Sequence, residues 1–106
     1  MSRTISTQAF KSMLGSQNLT IIDVRRKDDY AADNTAIPGA IWHDPEQIGT
    51  WGEELPNNQE IVLYCVRGGS VSNSVLDALQ TKGLNARYIE GGIAAWKDAG
   101  GDVVQK

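Results

Sequence analysis

The sequence predicts an α/β domain built on a mainly parallel sheet, and three observations carry that prediction. Two short β-branched apolar runs, Ile21-Ile22-Asp23-Val24 and Ile61-Val62-Leu63-Tyr64-Cys65, have the make-up of strands buried on both faces. Segments with helical spacing lie between and after them. Strands that alternate with helices imply right-handed crossovers and parallel neighbours.

Taken in order, Thr4-Ile5 reads as an edge strand, and Ser6 as the cap of a helix with Phe10, Met13 and Leu14 on one face, ending near Gly15. After the strand Ile21 to Val24 comes a short helix, Asp28 to Ala32, and then a short strand, Ala40-Ile41-Trp42. The stretch Gly49 to Glu54, around Trp51, reads as a loop. Ile61 to Cys65 should be a central strand. From Ser70 to Lys82 the apolar positions Val71, Val75, Ala78 and Leu79 follow helical spacing, and Gly83 stands where a C-terminal cap belongs. Ala86 to Ile89 is another strand, and Gly92 to Ala99, with Ile93 and Trp96 three apart, a last short helix.

Length and composition suit one domain over residues 1–106, with 41% hydrophobic and 22% charged residues. The net charge of -3, without a basic cluster, argues against a nucleic-acid partner. No apolar run is long enough to span a bilayer, and the N-terminus has no secretory pattern, so a cytoplasmic protein is expected. Nothing in the sequence indicates a metal or cofactor, and oligomeric state is not legible in it.

The chain has one cysteine and one histidine, too few for a disulfide or a closed zinc site. Cys65 is therefore either an apolar filler, the commoner role of a free cysteine, or a reactive thiol. Its neighbours decide between these. Cys65 closes the predicted central strand and is followed by Val66-Arg67-Gly68-Gly69-Ser70 and then the patterned helix. Ligands of an open parallel sheet bind beyond the carboxyl ends of its strands. A short glycine loop leading into a helix gathers backbone N–H groups, and Gly68 and Gly69 permit positive φ and close approach. With the charge of Arg67, this setting should favour thiolate over thiol and make Cys65 a nucleophile.

The segment Ile61 to Ser70 resembles the active-site stretch of the rhodanese family, an apolar strand ending in C-x-x-G-x-S/T or R. Ile22-Asp23-Val24-Arg25, then Tyr30 and Ile37-Pro38-Gly39-Ala40, resembles the family's D-V-R … Y/F … H-I-P-G-A signature. Glu90-Gly91-Gly92-Ile93-Ala94-Ala95-Trp96-Lys97 resembles its G-G-x-x-x-W element. The resemblance implies a rhodanese-like open parallel five-stranded sheet with helices on both faces. It also implies sulfane-sulfur transfer, from thiosulfate or a similar small sulfur-bearing anion to cyanide or a thiol, including a protein thiol. Cys65 would be the catalytic residue. Val66, Arg67, Gly68, Gly69 and Ser70 would bind substrate, with Arg67 steering the anion and Ser70 adding a hydroxyl or merely capping the helix.

Two other functions compete. A non-catalytic binding module of the same fold is disfavoured by the intact cysteine and glycine loop. Cysteine phosphatases and arsenate reductases of related fold use C-x-x-x-x-x-R, and here Val71 stands where that arginine belongs. Asp23 and Arg25 read first as an ion pair holding the fold, and second as support for the site. Pro38-Gly39 reads as a turn, His43 as a surface polar residue, and Trp42, Trp51 and Trp96 as packing residues. The family's histidine before I-P-G-A is replaced by Ala36, and His43 is not its equivalent.

Overall fold

The computed structural model describes residues 3–15, 18–55 and 58–106. Along the chain the elements are β1 (Thr4–Ile5), α1 (Thr7–Met13), β2 (Leu19–Asp23), α2 (Lys27–Ala32), β3 (Thr35–Ala36), β4 (Ile41–Trp42), α3 (Ile48–Trp51), β5 (Glu60–Tyr64), α4 (Ser70–Thr81), β6 (Ala86–Ile89), α5 (Gly92–Asp98) and β7 (Val104–Gln105). Five strands form one open sheet in the order β1-β6-β5-β2-β4, and every pairing in it is parallel. β5 lies in the middle, with Ile22 opposite Leu63 on one side and Leu63 opposite Tyr88 on the other.

Alternation along β5 divides the core. Ile61, Leu63 and Cys65 face Val75, Leu76 and Leu79 of α4, together with Ile22, Val24 and Trp51. Val62 and Tyr64 face Phe10 of α1 and Ile93 and Trp96 of α5. Helices therefore cover both faces, which is why the strands read as unbroken apolar runs. Each fully buried aliphatic side chain contributes about 1.5–3 kcal/mol. Ser6 caps α1 as expected, its hydroxyl accepting the Ala9 N–H at 3.1 Å.

Element ends depart from the pattern by one or two residues, and two regions depart more. Gly49 to Glu54 is not a loop: α3 and a single 3-10 turn at Gly52–Glu54 occupy it, and another 3-10 turn, Pro45–Gln47, leads in. Trp51 anchors this segment, buried in the core with its indole N–H donating to the Asp44 carbonyl at 2.7 Å. Turns this short carry too few residues for a periodicity to register. The second region is a two-stranded antiparallel ribbon, β3 with β7, which no apolar pattern announced. Both of its strands are only two residues long. No helix among the described residues is long and apolar enough to cross a membrane.

Candidate active site

Cys65 is the first residue beyond β5, not its last. The ladder stops at Tyr64, which pairs with Asp23, and the Cys65 carbonyl turns away to accept the Ile93 N–H of α5 at 2.9 Å. Its side chain keeps the alternation of the strand and points to the α4 side, 5% exposed. The Gly68 N–H donates to its Sγ at 3.2 Å. Strand end, loop and α4 thus turn one sulfur toward the carboxyl edge of the sheet.

The two glycines of the loop differ in what they do. Gly68 has φ +70°, and a Cβ there would lie 2.9 Å from the Gly91 nitrogen. Gly69 has φ -92° and open space around its Cα, so the left-handed freedom expected of both is used only by Gly68. Gly69, not Ser70, is the N-cap of α4. Its carbonyl accepts the Asn73 N–H at 3.2 Å and the Asn73 side-chain amide at 3.1 Å. Ser70 is the first helical residue, so the capping role considered for it falls away.

A second glycine turn holds this loop from behind. Gly91 and Gly92 both have positive φ, at +75° and +63°. They bring the first turn of α5 against the Cys65 loop, where Ile93 N–H donates to the Cys65 carbonyl and Ala94 N–H to that of Val66, at 2.9 and 3.1 Å. A Cβ on Gly92 would sit 2.4 Å from the Cys65 oxygen. The sequence flagged Gly91-Gly92 as a motif, but its contact with the cysteine loop depends on a fold that juxtaposes residues about 25 apart.

A cavity of about 210 Å³ opens at Cys65, lined by Arg25, Arg26, Asp29, Val66, Arg67, Gly69, Ser70 and Val71 as well as the cysteine. The predicted residues Val66, Arg67, Gly69 and Ser70 thus share one cavity with Cys65, while Gly68, which does not line it, donates its N–H to the sulfur. Arg67 and Arg26 are exposed at the rim, and neither has an ion-pair partner among the described residues. Arg26 carried no signal in the sequence. Val71 lies in the first turn of α4, so no arginine takes the phosphatase position.

Arg25 is committed elsewhere. Fully buried, its guanidinium meets Asp23 at 2.6 Å, Asp33 at 3.0 Å and the Thr35 carbonyl at 3.0 Å, and it lies over the rings of Tyr30 and Tyr64. Burial disfavours its charge, but the paired carboxylates more than offset this and raise its pKa. The expected ion pair is therefore present and ties β2 to the segment that enters β3. Burial above all, with the Asp23 charge adding to it, raises the Tyr64 phenol well above its usual range. Tyr64 Oη accepts the Ile37 N–H at 3.3 Å.

The remaining aromatics pack. Trp42 stacks on Tyr30 and donates to the Arg25 carbonyl, and Trp96 meets Phe10 edge-on. His43 stacks on Trp51 at 4.8 Å and does not line the Cys65 cavity. Desolvation lowers its pKa, against the opposing charge of Glu54. Ala36, in place of the family's histidine, lies in the β3–β7 ribbon.

Comparison with known proteins agrees with this geometry. The family model of the Rhodanese-like domain matches residues 6–99. A tRNA sulfurtransferase of Desulfurococcus amylolyticus is 36% identical over 77 residues, which cover 73% of this chain but 14% of that relative's length. The crystal structure of a rhodanese-like domain protein from Staphylococcus aureus superposes with a TM-score of 0.82 at 29% identity, covering 100% of this chain and 99% of the other. That of a rhodanese-related protein from Thermoplasma volcanium gives 0.85 at 23% identity, covering 98% and 99%. The sheet, the cysteine at its carboxyl edge and the match over residues 6–99 lead to one conclusion: this chain belongs to the rhodanese-like family.

Proposed function

We propose that the protein is a sulfurtransferase that carries sulfane sulfur as a persulfide on Cys65. The supporting observation is the position of its Sγ, at the floor of a small cavity and in contact with the Gly68 N–H. An amide donor at that distance suits an anionic sulfur, and a glycine loop before a helix suits an oxyanion beside it. In the first half-reaction the Cys65 thiolate attacks the outer sulfur of thiosulfate. A new S–S bond forms as the bond to the sulfonate sulfur breaks, and the bonding pair leaves with sulfite. Cyanide or a thiolate then attacks the outer persulfide sulfur, and the pair of the broken S–S bond returns to Cys65 Sγ. Atoms and charge balance in both halves without an outside oxidant.

In this reading Val66, Arg67, Gly69 and Ser70 surround the donor, Gly68 donates to sulfur, and Arg67 steers the anion. Family membership and the sulfurtransferase named among the relatives support it. A thiol that must stay reduced between turnovers fits a cytoplasmic setting. The test is intact-mass measurement after incubation with thiosulfate. The expected result is the gain of one sulfur, removed by cyanide or dithiothreitol and absent in Cys65→Ser. A protein that gains no sulfur from thiosulfate or polysulfide overturns the proposal in favour of a binding module.

A further inference from the structure

A second and larger recess, of about 720 Å³, adjoins the Cys65 cavity and shares Arg26, Ser70 and Val71 with it. Building on the sulfur-carrier reading, we infer that this groove is the acceptor subsite and that it takes a cysteine presented within an extended polypeptide segment. Cys65 is almost fully covered and is reached through a cavity of only about 210 Å³. Cyanide or sulfite fits such a space whole. A polypeptide acceptor can insert only its cysteine side chain there, and its main chain needs an adjoining surface on which to lie. The larger groove is continuous with the mouth of the cavity.

Its shape and chemistry suit that occupant. The floor is the outer face of α4, where Ser70, Ser74 and Ala78 follow one another four residues apart. From Ser70 to Ala78 the helix rises about 12 Å, the length of roughly three to four extended residues. Pro45 and Ile48 add apolar lining to the groove, and Arg26 and Lys27 add positive charge. Asp28 and Glu46 also line the groove, so its charge has no single sign. A phosphate-rich strand would need a clustered basic surface, whereas a main chain with an apolar side chain beside its cysteine matches this mixture.

The two half-reactions then use different spaces. The donor anion occupies the small cavity alone. The peptide thiolate reaches the outer persulfide sulfur from the groove, forming its own S–S bond as the bond to Cys65 Sγ breaks and returns its electron pair there.

The experiment is single-turnover discharge of persulfidated protein, freed of donor, into two thiols of the same chemistry. One is N-acetylcysteinamide; the other is a capped hexapeptide with a central cysteine flanked by valines. The wild type should discharge to the hexapeptide at least tenfold faster. Ser74 is exposed, so Ser74→Trp raises the floor of the groove without entering the core, and should cut that preference at least tenfold. Ser74→Ala should keep the preference, because space and not the hydroxyl is at issue. Equal rates for the two thiols in the wild type overturn the inference, as does an equal slowing of both by Ser74→Trp. Failure to load sulfur at all is seen before any acceptor is added and refutes the sulfur-carrier reading itself.

Discussion

Replacing Gly92 with alanine probes how the cysteine loop is held in place. At φ +63° an L-residue is strained, which costs about 1–2 kcal/mol. The added methyl would also lie 2.4 Å from the Cys65 oxygen and 2.7 Å from the Val66 carbonyl carbon and oxygen, all backbone atoms with no flexible end to swing aside. Overpacking of this kind costs about 1–3 kcal/mol. Together these give a destabilisation of about 2–5 kcal/mol, or a fall in melting temperature of roughly 10–20 °C for a domain of this size. Relief requires α5 to withdraw, which would break the hydrogen bonds from Ile93 and Ala94 to the loop and displace Cys65. Gly69→Ala is the internal control, since φ there is -92° and nothing lies within 4 Å of the new methyl. As the N-cap of α4 it should cost about 1 kcal/mol at most, well short of Gly92→Ala. Urea and thermal unfolding followed by circular dichroism, with thiosulfate:cyanide turnover, measure both variants. If Gly92→Ala matches the wild type, or the two alanines cost the same, the close approach of Gly92 does not hold the cysteine loop in place.

Arg67→Ala should raise KM for thiosulfate roughly two- to fivefold at low salt, with a smaller effect on an uncharged thiosulfonate donor. Equal changes for both donors would remove its steering role. Asp23→Ala leaves the buried Arg25 guanidinium without its closest carboxylate and should lower unfolding free energy by about 3–5 kcal/mol, read from urea midpoints. A loss below about 1 kcal/mol would mean that the remaining contacts to Asp33 and Thr35 suffice. His43 has its folded pKa pushed below the ordinary 6.5 by desolvation, so the fold favours the neutral ring. Its contribution is present in full above that ordinary value and is lost as pH falls through the lowered one. His43→Phe, which keeps the stack on Trp51, should therefore flatten the decline in stability between about pH 7.5 and pH 5.5; an unchanged decline would assign it to other groups.

Much of the scaffold was legible because local pattern and tertiary environment coincide. Ile61 to Leu63 and Ile21-Ile22 are apolar on both faces because helices cover both faces of the sheet. Ser6 and the Val75–Leu79 spacing mark helices for reasons contained in a few consecutive residues. The turns around Trp51 and the β3–β7 ribbon were not legible. Their stability comes from partners distant in sequence, such as Lys106, whose N–H meets the Asn34 carbonyl.

The sequence by itself determined that one cysteine stands at the end of a central strand, with a glycine-bearing loop and a helix behind it, and that Val71 stands where a phosphatase arginine would be. Such features are set by consecutive residues, so spacing alone reveals them. Only the tertiary structure separated Gly68 from Gly69, made Gly92 the support of the loop, brought Asp33 to the buried Arg25 guanidinium and set Arg26 at the rim of the Cys65 cavity. Only the fold, too, joined the Cys65 cavity to the groove across α4. Each of these depends on atoms that meet through space, and the energy of such a meeting is not written in the order of the chain.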